Sequence, residues 1–242
     1  MRSMGEVDRW ESAIQCAGRV VICEEIASTQ EGAIAHNLKL GDVCAALHQT
    51  AGRGRRGNEW DSSGGVSVTV VLEEATPHLS IAVAAVLAEQ IDALVEQAVG
   101  IKWPNDLYID GRKLAGILIE QREGVCLVGV GVNVGRNKVP NGVSLSELGS
   151  EVDRATVAGL VVSSIFSASE ISIDSAVRLW KSRDILVGTT QSFITENTQF
   201  KGTVLAIDPL HNLLLKTDEG HTTLDAASTT IIDSECIKTP KN

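Results

Sequence analysis

The dipeptide Asp110-Gly111 limits what this chain can fold into more than any other pair of its residues. Asp-Gly favours the two-residue hairpin turn, because both central residues of that turn need positive φ. Before it stands Trp103-Pro104-Asn105-Asp106-Leu107-Tyr108-Ile109, read as a bend followed by a strand. After it, Arg112 to Glu120 reads as the return strand. The sequence therefore predicts an antiparallel hairpin at the centre of the chain. Alternation puts Lys113, Ala115, Ile117 and Ile119 on one face of the return strand. A lysine at the head of an apolar face is out of place without an anionic partner.

The flanking patterns build a sheet around that hairpin. Arg19–Cys23 and Val43–Leu47 are short apolar runs, read as buried strands. Between them Ser28 and Glu31 form a capping-box pattern that starts a helix over 29–38. Val66, Val68, Val70 and Leu72 alternate as a half-buried strand. Pro77 opens a helix to about Gln97, with Leu79, Val83, Val86, Leu87 and Ile91 at helical spacing. Leu127–Val134 is a further strand, and its Gly129 and Gly131 mark a close approach of backbone or ligand. Helices follow over 154–168 and 174–183, while residues 1–18 carry little pattern. From Gly188 the texture changes to short strands over 192–195, 200–206, 213–216, 222–224 and 229–232, separated by polar turns. The expected architecture is an α/β (α+β) unit over 1–186, a mixed sheet backed by helices, followed by a small β-barrel over 187–242.

The formal net charge is -10, from 31 acidic and 21 basic residues, which argues against general nucleic-acid binding. Against that background Ala51-Gly52-Arg53-Gly54-Arg55-Arg56-Gly57 packs three arginines and three glycines into seven residues. Arginine forks match carboxylate and phosphate oxygens, and glycines let the backbone approach them. The loop is no Walker A, because no Gly-Lys-Ser/Thr closes it, and no dinucleotide fingerprint, because a strand follows it. Alone, such a string is more often a solvated basic loop than a site, whether for phosphate, RNA or paired anions. The cysteines (Cys16, Cys23, Cys44, Cys126, Cys236) form no metal-ligand or C-x-x-C spacing, so reduced thiols and a cytoplasmic protein are expected. The N-terminus has no signal-peptide pattern, and no apolar run approaches the roughly 20 residues of a membrane span. No metal-binding cluster is expected, and none of the scattered histidines is assigned a catalytic role.

Three stretches together resemble one family. Gln49-Thr50-Ala51-Gly52-Arg53-Gly54-Arg55-Arg56-Gly57 with Trp60 is similar to the signature loop of biotin protein ligases. Lys102-Trp103-Pro104-Asn105-Asp106-Leu107-Tyr108 with Arg112–Glu120 resembles their second signature, and Gly129-Val130-Gly131-Val132-Asn133 their third. The resemblance is strong over about residues 20–135. It implies a catalytic fold like that of class II aminoacyl-tRNA synthetases and biotin synthetases, with an SH3-like barrel behind it. It implies that biotin carboxylate attacks ATP to give biotinyl-5′-AMP and pyrophosphate, with Mg2+ screening the phosphates. A lysine of a biotin carboxyl carrier domain, on a carboxylase such as acetyl-CoA carboxylase, then displaces AMP.

By the same resemblance Ser28, Thr29, Gln30 and Gln49 line the biotin pocket. Arg53, Gly54 and Arg55 close over biotin and the α-phosphate, and Lys113 holds the carboxylate. Arg55, Arg56, Trp60, Asn105 and Asn133 face ATP, and Asp106 positions or deprotonates the incoming amine. The family's Ser-Thr-Asn is Ser28-Thr29-Gln30 here. Blander roles remain open: Ser28 as a helix cap, Asp106 as a brace for the bend, Trp60 as core, and Lys113 as an exposed strand-end charge. The stretch before residue 20 leaves no room for the DNA-binding domain of bifunctional ligase/repressors, so a monofunctional type without DNA contacts or membrane attachment is expected. A homodimer through sheet edges is compatible with the family. Rival readings are a lipoate- or octanoate-protein ligase, a non-enzymatic phosphate- or RNA-binding module, and a catalytically idle biotin-binding regulator.

Overall fold

In the computed structural model the residues described are 5–16, 18–135, 141–226 and 228–234. The central hairpin forms as expected. β5 (Asp106–Ile109) and β6 (Arg112–Arg122) pair antiparallel across Asp110 and Gly111, whose φ values of 49° and 75° are both positive. Around it β1 (Val20–Ile26), β2 (Val43–Gln49), β3 (Val66–Leu72), β4 (Gly100–Lys102) and β7 (Val125–Val132) complete one sheet, in the order β1-β2-β3-β7-β6-β5-β4. Only β1 and β2 run parallel, so the sheet is mixed.

Helices cover one face of the sheet. α3 (Leu79–Asp92) packs on α4 (Arg154–Glu170) and α5 (Ile173–Lys181), and α1 (Glu6–Ala13) packs on α4. Burial of Trp10 and Trp180 shows how closely this layer fits. The first helix, in a stretch with little pattern, contributes that single large anchor, Trp10.

Three expectations are corrected. β3 is buried on both faces rather than half-buried. Val66, Val68, Val70 and Leu72 enter the main core, while Val71 joins Ala33, Leu38, Cys44 and Leu127 beneath α2 (Thr29–Ala35) on the opposite face. The small polar residues between them, Ser67 and Thr69, are buried as well. α3 stops at Asp92 rather than near Gln97, because that carboxylate accepts from Val99 N (2.8 Å) and pairs with Arg183 (2.7 Å), turning the chain toward β4. The third correction concerns Lys113, which an irregularity in β6 re-phases, as described below.

Beyond α5, β8 (Thr190–Thr195), β9 (Thr198–Asp208), β10 (Asn212–Thr217), β11 (Gly220–Asp225) and β12 (Thr229–Ser234) form a second, antiparallel sheet in the order β11-β10-β9-β8-β12. Phe193, Val204, Ile207, Leu213, Leu215 and Leu224 are its buried hydrophobic residues. Cys44 and Cys126 are buried, and burial raises their thiol pKa values to about 12 and about 11, which keeps them protonated and unreactive. Cys236 lies outside the described residues. No described helix is long and apolar enough to cross a membrane.

Candidate active site

A cavity of about 240 Å³ opens on the sheet face that carries α2. Its floor comes from the glycine-bearing strands: Gly116, Ile117 and Leu118 of β6 and Gly129, Val130 and Gly131 of β7. The glycines leave room for what lies on them. A Cβ on Gly131 would collide with the Trp60 ring, and one on Gly129 would stand 2.9 Å from Gln30 Nε2. The positions where the strand lacks side chains are those where the cavity walls descend onto it.

One end of the cavity is a recess of neutral hydrogen-bonding groups. Ser28 caps α2 by accepting from Glu31 N at 3.2 Å, the role its sequence position predicts. Thr29 N donates to Gln49 Oε1 at 2.7 Å, and Thr29 Oγ1 accepts from Thr69 Oγ1 at 2.8 Å. Ser62 Oγ accepts from Gln49 N at 2.8 Å and holds that strand end. Gln30 Nε2 donates to Leu118 O (2.9 Å) and Leu127 O (3.4 Å), so its amide nitrogen is spent on the floor of the sheet. The extra methylene of glutamine gives it this reach. Ser67 Oγ and Trp60 Nε1 line the cavity, are buried, and have no partner among the described residues. Unpaired buried donors are costly, so both fit groups that a ligand satisfies.

The other end is cationic. Lys113 Nζ lies 2.7 Å from Asp106 Oδ1 and 5.8 Å from the centre of the Trp60 ring. The β5–β6 register slips between Leu107 and Tyr108: Tyr108 pairs with Lys113, but Leu107 with Ala115. This bulge buries Leu114 and Ala115 side by side in the core. Lys113 is thereby phased with Gly116, where a Cβ would meet Lys113 Nζ at 3.2 Å and Asp106 Oδ1 at 3.3 Å. Strict alternation, which grouped Lys113 with Ala115 and Ile117, misses this, since a bulge re-aims a side chain without a plain sequence mark.

The arginine loop roofs this end. It is a small hairpin of its own: Arg53 bridges Glu59, Gly54 N donates to Asn58 O at 2.7 Å, and Trp60 N to Gly52 O at 2.9 Å. Gly52 is tightly packed under Trp60 O, where a Cβ would clash. Arg53 pairs with Glu31, which Arg122 also grips at 2.8 Å. The Arg122 guanidinium, and after it that of Arg53, hold the Glu31 carboxyl below its ordinary range against a burial effect that raises it. Arg55 reaches Asn105 Oδ1 and Ala226 O, both at 3.4 Å, linking the loop to the second sheet. Asn105 Nδ2 donates to Ile117 O, so Asn105 braces the bend while lining the cavity. The Arg56 side chain lies outside the described residues.

Asn133 stands apart. Its amide donates to Lys113 O and Val143 O, both at 3.1 Å, and it is not among the cavity-lining residues. It supports the Lys113 backbone from behind. Two groups that sequence reasoning did not single out do line the cavity, Lys102 with Tyr108, and Thr229–Ile231 of β12. The signal for Lys102 is a charged residue after the apolar Gly100-Ile101. Nothing local marks the β12 residues, which arrive from a separate sheet. Burial, and after it the Asp106 charge, raises the Tyr108 pKa, so its hydroxyl stays protonated.

A mixed sheet carrying a cavity that joins a neutral recess to a cationic roof defines a small-molecule-binding α+β protein. The model of the Biotin/lipoate A/B protein ligase family matches residues 23–137. The bifunctional ligase/repressor BirA of Escherichia coli is 32% identical over 225 residues, covering 83% of this chain and 70% of the relative. A biotin--[acetyl-CoA-carboxylase] ligase of Mycobacterium tuberculosis is 37% identical over 123 residues, 45% of this chain and 46% of the relative. Among solved structures, the biotin protein ligase from Aquifex aeolicus in complex with biotin and ATP superposes with a TM-score of 0.79 at 26% identity, over 89% of this chain and 99% of that one. The chain belongs to the biotin/lipoate A/B protein ligase family.

Proposed function

We infer that this protein is an ATP-dependent biotin–protein ligase, which joins biotin to AMP and then passes it to a lysine of a carboxylase's biotin carrier domain. The observation that carries this reading is the Lys113–Asp106 pair at the junction of the neutral recess and the arginine roof. A carboxylate and a triphosphate repel each other, and a site that joins them must supply positive charge between them. The named relatives and the solved neighbour with biotin and ATP support biotin as the acid and ATP as the second substrate. They favour biotin over lipoate or octanoate.

In this reading Ser28, Thr29 and Gln49 surround the biotin ring system, and Ser67 Oγ offers it a hydrogen bond. Lys113 exchanges Asp106 for the biotin carboxylate and orients one oxygen at the α-phosphorus. The O–P bond forms as the bond to the β-phosphate breaks, and pyrophosphate departs with the electron pair. Arg53 leaves Glu31 for the phosphate charge, and Arg55 with Asn105 borders the nucleotide. The hairpin roof keeps water from the mixed anhydride that results. Asp106, released from Lys113, then takes a proton from the incoming amine, for which it needs hydrogen-bond reach, as the nitrogen bonds to the acyl carbon and the C–O bond to AMP breaks, AMP leaving with that electron pair. No described group of three His, Cys, Asp or Glu side chains is arranged for a resident metal, and magnesium is read as part of the nucleotide substrate.

The chain divides, in the same proposal, into a catalytic unit over 1–186 and an SH3-like barrel over 187–242 that lends Thr229–Ile231 to the cavity wall. The buried thiols fit a reducing cytoplasm. The direct test is mass spectrometry of an isolated biotin carrier domain incubated with the protein, ATP and an equimolar mixture of biotin and lipoate. The expected product is one biotinyl group on one lysine. Lipoylation, or no modification with an active acceptor, would contradict the reading.

A further inference from the structure

Lys102 is 9% exposed and lines the cavity, yet it makes no ion pair among the described residues. Among the described residues its ammonium contacts only the Tyr108 hydroxyl at 3.5 Å and the Tyr108 ring at 4.9 Å. Asp106 is its cross-strand partner, but that carboxylate is turned to Lys113. A desolvated charge without a counter-ion is among the least favourable things a fold can hold, unless a ligand completes it. Burial and the nearby Lys113 charge both disfavour the charged form of Lys102, and Asp106 only partly offsets them. An incoming anion would reverse that balance.

Where the anion sits follows from the sheet. The recess lies over β2, β3 and β7, Lys113 is on β6, Asp106 on β5 and Lys102 on the edge strand β4. These positions form a row running away from the recess. An acid seated in the recess presents its carboxylate at Lys113. Displacement at phosphorus sets the attacking and leaving oxygens roughly in line. The leaving group therefore emerges on the far side of the α-phosphorus, over β5 and β4. We propose that Lys102 is the leaving-group residue of this site: its ammonium, beside the Tyr108 hydroxyl, binds the β- and γ-phosphates of ATP and the pyrophosphate they become. The inference rests on the ligase reading and adds to it a residue with a separate task, since Lys113 serves the attacking oxygen and Lys102 the departing ones.

The test compares wild type with Lys102→Met and Lys102→Gln. Biotin-dependent ATP–pyrophosphate exchange gives the KM values for biotin and pyrophosphate. Single-turnover transfer from preformed biotinyl-AMP to a carrier domain, which involves no pyrophosphate, gives the second half-reaction. One charge-assisted contact corresponds to a rise in the pyrophosphate KM of about tenfold to a hundredfold. The biotin KM and the transfer rate should stay near wild type, and thermal midpoints should hold or rise as a lone buried charge is removed. An unchanged pyrophosphate KM would overturn the proposal. So would a selective rise in the biotin KM, which would assign Lys102 to the carboxylate. Equal loss in both half-reactions would mark a structural role and also overturn it. Absence of exchange in the wild type would instead overturn the ligase reading itself.

Discussion

At the recess end of the cavity, Thr29, Gln49, Thr69 and Ser62 satisfy one another through neutral hydrogen bonds, all of them buried. At the roof end, Arg53 leans on Glu31 and Lys113 on Asp106, with side-chain exposures of 44%, 42%, 32% and 25%. The first end is already held in place before any ligand arrives, with the buried Ser67 Oγ left open to it, so it recognises its ligand without rearranging. The second is held by pairs that water already weakens; exposed ion pairs are worth about 0–1 kcal/mol. A ligand anion can displace Glu31 or Asp106 at small cost and inherit the cation. Recognition and chemistry are thus divided between a fixed end and an exchangeable one, and substitutions at the two ends should fail differently.

The largest effect is expected at the exchangeable end. Lys113→Ala should lower biotin-dependent exchange by about 10²–10³-fold, the usual loss of one electrostatic contact to a reacting centre. Its thermal midpoint should stay near wild type, because the ion pair it breaks is part-exposed. Near-normal exchange would erase the distinction between the ends. Gly131→Ala tests the floor they share. The added methyl collides with the Trp60 ring, so overpacking should cost about 1–3 kcal/mol, read by chemical denaturation, and raise the KM for ATP.

At the fixed end, Gln30→Ala leaves Leu118 O and Leu127 O without their side-chain donor. The cost should be about 1–3 kcal/mol of stability, with a smaller change in the biotin KM. A large loss of affinity on an unchanged fold would move Gln30 from brace to direct ligand contact. The smallest effect is expected for Glu31→Gln, below about 1 kcal/mol. Because Arg122 and Arg53 depress the folded-state pKa of Glu31, its contribution is complete above the unfolded-state value and is lost as pH falls through the lowered folded one. The stability difference between wild type and Glu31→Gln should therefore shrink on acidification. A difference that widened would contradict the pairing.

Most of the sheet was legible because its signals are local. Asp110-Gly111 marked the hairpin, Ser28 with Glu31 the start of α2, and alternation found β3 to its terminal residues. What escaped depends on tertiary partners. β3 looks half-buried in sequence because Ser67 and Thr69 are polar, but α2 covers that face. The end of α3 is set by Arg183, 91 residues away. The bulge at Lys113 leaves no compositional trace, yet it aims the central lysine. Within the cavity, motifs brought Arg53, Trp60, Asp106 and Lys113 forward. Lys102 stayed in the background because its meaning lies in the absence of an ionic partner among the described residues, which only packing reveals.

The central claim is that the exchangeable end joins an acid to a nucleotide. Biotin-dependent ATP–pyrophosphate exchange tests it most directly, since label from pyrophosphate enters ATP only if the adenylate forms reversibly. The account predicts exchange that requires biotin, does not require a carrier domain, and collapses in Lys113→Ala. Exchange without biotin, or none in the presence of biotin and magnesium ATP, would contradict it.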